Sequence, residues 1–165
     1  MALTANALPS IPGNFALPID ANLQFASAQT LTATGYINNS NAVVDLGLGR
    51  IQSMLALDIS VLDLTTGDET YVLHLLGSND SAFGNGNVES LAVHDFGKSA
   101  HRIINTILGD NPTIPPTGLV GSILALPFTT LMQGIIYRYA KCYAVLAGTT
   151  PSITLSAWIV PQALV

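Results

Sequence analysis

The 165-residue chain is short of charge: five Lys and Arg and ten Asp and Glu make up 9% of it, where a soluble domain usually carries about 25%. The basic residues Arg50, Lys98, Arg102, Arg138 and Lys141 form no run. Phosphate affinity comes from clustered Lys and Arg releasing counterions, so a net charge of −5 and a pI near 4.7 argue against a nucleic-acid partner. The lone Cys142 permits no internal disulfide, and within the apolar run 140–147 it reads as a small buried hydrophobe. No basic residue precedes Arg50, and Pro9, Pro12 and Pro18 interrupt the start. The charged and apolar regions of a secretory signal are therefore missing, and export by that route is not expected. The uncharged stretch 111–137 is broken by Pro112, Pro115, Pro116, Pro127, Gly118, Gly121 and Gly134, which argues against a membrane span.

What the chain has instead is apolar residues. Hydrophobic residues make up 49% and mean hydropathy is +0.48. One domain of this length buries about two-thirds of the surface its unfolded chain exposes, with no need of metal or disulfide. A soluble monomer covers itself with mixed charge, so a shell this neutral is expected to face other protein. The composition points to a component of an assembly.

Residues 1–19 carry three prolines and no periodicity, which predicts an extended N-terminal arm ahead of a domain over 20–165. Leu3, Leu8, Ile11, Phe15, Leu17 and Ile19 are too many apolar side chains for a solvated tail. The arm is expected to lie on a surface, its own or a neighbour's, and Leu8, Ile11, Phe15 and Leu17 are its candidate contacts with a sister subunit or another protein of the assembly. Beyond it, β-prone runs over 29–34 and 41–46 flank a turn at 38–40. The run 55–64 alternates with period two, placing Leu57, Ile59 and Val61 on a dry face opposite Asp58, Ser60 and Leu62. Thr66-Gly67-Asp68 leads into 70–76, read as its hairpin partner and as buried on both faces. A polar loop over 77–87 precedes a strand at 90–96. Ile103, Ile104, Ile107 and Leu108 fit a helix face or a strand, the strand being preferred. Three further strands are predicted over 119–126, 135–146 and 152–160. Eight or nine short strands between Gly, Pro and Asn turns, with no alternating helices, predict an all-β antiparallel sandwich or jelly roll.

Reactive constellations are scarce. His94-Asp95 lacks the Gly-x-Ser-x-Gly elbow of a hydrolase and reads more simply as the end of a strand. His74, His94 and His101 would have to converge to hold a metal, and no His-x-His pair with a downstream Glu accompanies them. Asn79-Asp80-Ser81 with Gly84, Asn85, Gly86 and Asn87 offers oxygen ligands without an EF-hand spacing. The glycines have no phosphate-loop order. No catalytic, cofactor-binding or metal-binding residue is therefore assigned, and no cofactor is expected. Tyr137, Tyr139 and Tyr143 recur at strand spacing with Lys141, so they are expected on one face, as packing or as a glycan platform. Trp158 beside Ile159 and Val160 reads as core.

The run 23–34 (LQFASAQTLTAT), followed by 41–47 (NAVVDLG), 75–83 (LLGSNDSAF) and 121–127 (GSILALP), resembles the jelly-roll capsid cement proteins of tailed bacteriophages, of the Bordetella-phage type. The resemblance covers about residues 20 to 165. It implies a non-enzymatic virion structural protein on the outer capsid surface. Such a protein binds the major capsid protein and itself, as a homodimer or homotrimer bridging neighbouring capsomers. A carbohydrate- or receptor-binding sandwich on the virion surface is the alternative expectation, with the 79–87 loop and the tyrosine row as its contact region.

Overall fold

A computed structural model describes residues 20–84, 88–96, 120, 121 and 123–161. The arm over 1–19, with Leu8, Ile11, Phe15 and Leu17, and the ambiguous segment 100–108 lie outside the described residues. A 3-10 turn, Ala21–Leu23, is capped by Asp20, whose carboxylate accepts from Asn22 N. Eleven strands follow among the described residues: β1 Gln24–Leu31, β2 Gly35–Ile37, β3 Val44–Asp45, β4 Gln52–Leu62, β5 Thr70–Ser78, β6 Val88–Asp95, β7 Ile123–Thr129, β8 Leu131–Met132, β9 Ile135–Ile136, β10 Tyr139–Ala147 and β11 Ile153–Pro161.

Two antiparallel sheets face each other, one in the order β1-β11-β4-β7 and the other β2-β10-β5-β6, with β3 also pairing β10. The pairs β1·β11, β2·β10, β4·β7 and β5·β6 nest from the chain ends inward. This is one long antiparallel ribbon rolled over itself, the eight-stranded jelly roll that the strand-and-turn pattern predicts. β8 and β9 form a small separate hairpin.

The core lies between the sheets. Phe25, Leu55, Leu57, Ile59, Tyr71, Leu73, Leu75, Ile153 and Leu155 are fully buried there. Each aliphatic side chain contributes about 1.5–3 kcal/mol when removed from water. On β5 every second residue from Tyr71 to Gly77 is buried and the alternate ones are half-buried. The strand therefore has one dry face, where two were expected from its composition. The anticipated β4–β5 hairpin does not form either. The two strands lie in different sheets, so the turn at 66–68 carries the chain across the sandwich. Val61 was expected inside with Ile59, yet it is 51% exposed while Leu62 is buried. A bulge opposite Thr154/Leu155 shifts the alternation by one residue there, and a one-residue shift turns every later side chain over.

The end of the sandwich at the β4–β5 and β10–β11 turns is tied by polar groups. The Tyr71 hydroxyl donates to the Asp63 carbonyl at 2.6 Å and accepts from Ser152 N at 3.0 Å, and burial pushes its pKa up. Asp68 accepts from Thr149 N at 3.0 Å and from its hydroxyl at 3.1 Å. Gly148, at φ +105°, brings the two turns so close that a Cβ would lie 2.7 Å from the Asp68 carbonyl oxygen. Only glycine meets both conditions.

Candidate functional site

The outward side of the β2-β10-β5-β6 sheet gathers the polar and aromatic side chains that the sequence scatters. Tyr143 on β10 stands opposite Tyr36 on β2 and His74 on β5, and His74 stands opposite Val93 on β6. One cross-strand row thus runs Tyr36, Tyr143, His74, Val93. Such directly opposed side chains are the neighbours that stabilise a sheet face. The Tyr36 and Tyr143 rings meet edge to face, centroids 5.0 Å apart at 66°, the arrangement that the ring quadrupoles favour.

Lys141, two residues along β10, holds its ammonium 5.0 Å from the Tyr36 ring centroid and 4.6 Å from that of Phe83. A cation beside two aromatic rings is held there electrostatically. Phe83 reaches it from the β5–β6 loop through a costly backbone. Its φ of +59° lies in the left-handed region that a bulky residue rarely occupies. Asp80 holds it there: its carboxylate accepts from Ala82 N and Gly84 N at 2.9 and 3.0 Å, and its carbonyl accepts from Phe83 N at 3.0 Å. These backbone bonds also lower the Asp80 carboxyl pKa, with a smaller contribution from the Lys141 charge.

The rim beside this row is fixed by Arg138, which pairs in a two-pronged fashion with Asp45 on β3, Nε to Oδ1 at 2.9 Å and Nη2 to Oδ2 at 2.7 Å. Its guanidinium lies 4.9 Å from the Tyr139 ring centroid, and its backbone N–H donates to Asn79 Oδ1 at 3.0 Å. The Arg138 hydrogen bonds, with a further one from Gly47 N, bring the Asp45 carboxyl down to about 2. Planar Arg recognition of this kind sets geometry as well as charge.

Tyr139, Lys141 and Tyr143 therefore share a face, as their spacing predicts, but Tyr137 does not join them. It is 7% exposed and packs into the core cluster, its N–H bonded to Thr130 O. It precedes β10 in the link from β9, where strand alternation does not yet hold. Tyr36 and Phe83 take its place. Neither could be paired with β10 by spacing, since both reach the site from distant segments.

The remaining candidates separate. His74 and His94 sit on opposite faces of the sheet, because His74 is opposite Val93 and its neighbour Leu73 is opposite His94, so they cannot share a metal; His101 lies outside the described residues. Successive residues of a strand point to opposite sides, which also parts His94 from Asp95. His94 packs edge-on against Phe96 at 4.5 Å. Among the described residues no group of three or more His, Cys, Asp or Glu is placed to hold a metal ion. Ser90 Oγ lies 3.3 Å from His74 Nδ1 but also 3.3 Å from the Ala92 carbonyl, closing the β6 bulge. Cys142 is buried beneath the sheet, and desolvation pushes its thiol up to about 12, far from a nucleophile's range. A shallow depression of about 360 Å³ between Gln52, Leu91, Pro127, Phe128 and Thr129 has no titratable lining residue. Among the described residues no helix is long and apolar enough to cross a membrane.

This face brings together aromatic rings, the Lys141 cation and a rim held by the Arg138–Asp45 pair. No protein-family model matches the chain, and a search of curated proteins finds no significant match.

Proposed function

We propose that the protein is a cement, or decoration, protein of a viral shell. It binds the outer surface of the major capsid protein lattice and bridges neighbouring capsomers as a homodimer or homotrimer. The observation that carries this reading is the outward face of the β2-β10-β5-β6 sheet. There Tyr36 and Val145 are exposed and Tyr139 and Tyr143 half-buried, with Lys141 over the Tyr36 ring and Arg138 over the Tyr139 ring. Tyr-rich, Lys- and Glu-poor patches of this kind are the composition of protein contact surfaces. The jelly roll is an architecture used by viral shells, and the acidic, charge-poor chain would be repelled by packaged nucleic acid, which favours the outer surface. Many copies of a moderate contact, formed only on an assembled lattice, stabilise the shell by mass action.

Co-sedimentation with assembled, cement-free shells tests it, together with light scattering of the free protein. Saturable binding at a fixed ratio to the major capsid protein is the expected result; no association with mature shells would remove the reading. A second reading, a glycan- or receptor-binding domain on the virion surface, is favoured by the edge-to-face Tyr36 and Tyr143 with Lys141 over the Tyr36 ring. It predicts that the isolated protein retains on an immobilised glycan and is released by soluble sugar.

A further inference from the structure

The opposite outward face, that of the β1-β11-β4-β7 sheet, holds a small buried cluster of its own. Ala56 and Val160 are wholly buried and Trp158 is 2% exposed, although they lie on the side of the sheet away from the core. Met54 is the partly buried hydrophobic residue packed against them among the described residues. The Trp158 indole Nε1–H is also buried without a hydrogen-bond partner, which is costly for a strong donor unless an acceptor reaches it. A buried, apolar, donor-bearing patch on an outward face is one half of a contact.

We propose that residues 1–19 of the same chain are the other half, lying across this face with a backbone carbonyl accepting from Trp158 Nε1. Three observations support this segment, and the third sets it apart from 97–119, which leads into β7 beside Ala56. The described chain starts beside the patch: Gln24 is paired with Trp158 on β11, and the turn Ala21–Leu23 lies against β11. Nineteen residues, at about 3.3 Å each when extended, greatly exceed the roughly 15 Å across four strands. The chemistry matches as well. Residues 1–19 contain no Asp, Glu, Lys or Arg and present Leu8, Ile11, Phe15 and Leu17. Pro9, Pro12 and Pro18 favour an extended backbone whose carbonyls have no internal partner. The other long undescribed segment, 97–119, carries Lys98, Arg102 and Asp110, a poorer complement to an uncharged patch.

Trp158 is the sole tryptophan of the chain, so its fluorescence reports this face alone. In the full chain, Ile11→Asp, Phe15→Asp and Leu17→Asp together are expected to shift Trp158 emission to the red and raise acrylamide quenching several-fold. Far-UV circular dichroism and cooperative unfolding should remain; if the triple variant does not fold, Phe15→Ala carries the same readout. Ile107→Asp with Leu108→Asp should leave quenching unchanged. Unchanged quenching in a folded arm variant would overturn the proposal, as would a rise confined to the 107/108 variant. A wild-type quenching constant that rises on dilution through a dissociating oligomer would assign the cover to a second copy and overturn it too.

Discussion

The two outward faces of this jelly roll are built on the same plan and end in different states. Each carries aromatic and aliphatic side chains where a monomer in water would place mixed charge. On the β2-β10-β5-β6 side the aromatics are partly exposed, Tyr36 at 41%, and propped by cation–π contacts and the Arg138–Asp45 pair. On the β1-β11-β4-β7 side Trp158 and Val160 are buried. One condition separates the faces: polar neighbours that hold the aromatics in place without covering them. The tyrosine face meets that condition and the tryptophan face does not.

The largest effect expected from a substitution follows from burial. Trp158→Ala should lower stability by about 3–5 kcal/mol, the usual cost of deleting a buried large aromatic, as read by urea unfolding. A loss below 1 kcal/mol would mean that the tryptophan face is open, and the contrast between the faces would collapse. Gly148→Ala should cost roughly 2 kcal/mol or more from strain and backbone overlap, while leaving shell binding of the folded fraction intact. Tyr143→Ala should cost about 1 kcal/mol of stability through its lost ring contact, yet weaken shell binding by tenfold or more if it is an interface anchor.

Acid sharpens the contrast further. Asp45 is held down to about 2 by Arg138, and Asp63 and Asp80 are lowered by hydrogen bonds from Thr65 and from the Ala82 and Gly84 amides respectively. A carboxyl with a depressed folded-state pKa contributes stability above its unfolded pKa, near 4, and loses it as pH falls through the folded value. Thermal unfolding midpoints should therefore hold from pH 7 to 5 and drop below about pH 4. The rim at Asp45 and Asp80 should loosen with them, whereas the Trp158 patch, which has no charged member, should keep its emission until the whole domain unfolds.

Much of this was legible in the residues. The two-residue period of β4, the turn residues around each strand and the lack of helical periodicity specify a β-sandwich. Tyr139, Lys141 and Tyr143 read directly as one face because all three sit inside β10. Sequence spacing failed where tertiary pairing decides. Tyr36 and Phe83 join that face from separate segments, Tyr137 leaves it because β10 starts two residues later, and the β4–β5 turn looks like a hairpin until the strands are seen in different sheets. The burial of Trp158 was expected; its place on an outward face, with its N–H unpartnered, was not, since alternation distinguishes two sides of a strand without saying which one meets the other sheet.

The most direct measurement is residue-level footprinting of the protein free and bound to cement-free shells, by oxidative labelling of tyrosine and tryptophan. Protection of Tyr36 and Tyr143 on the shell, with Trp158 equally unreactive in both states, is the predicted result. Unchanged tyrosine labelling in a complex that forms would contradict the assignment of the tyrosine face as the capsid contact.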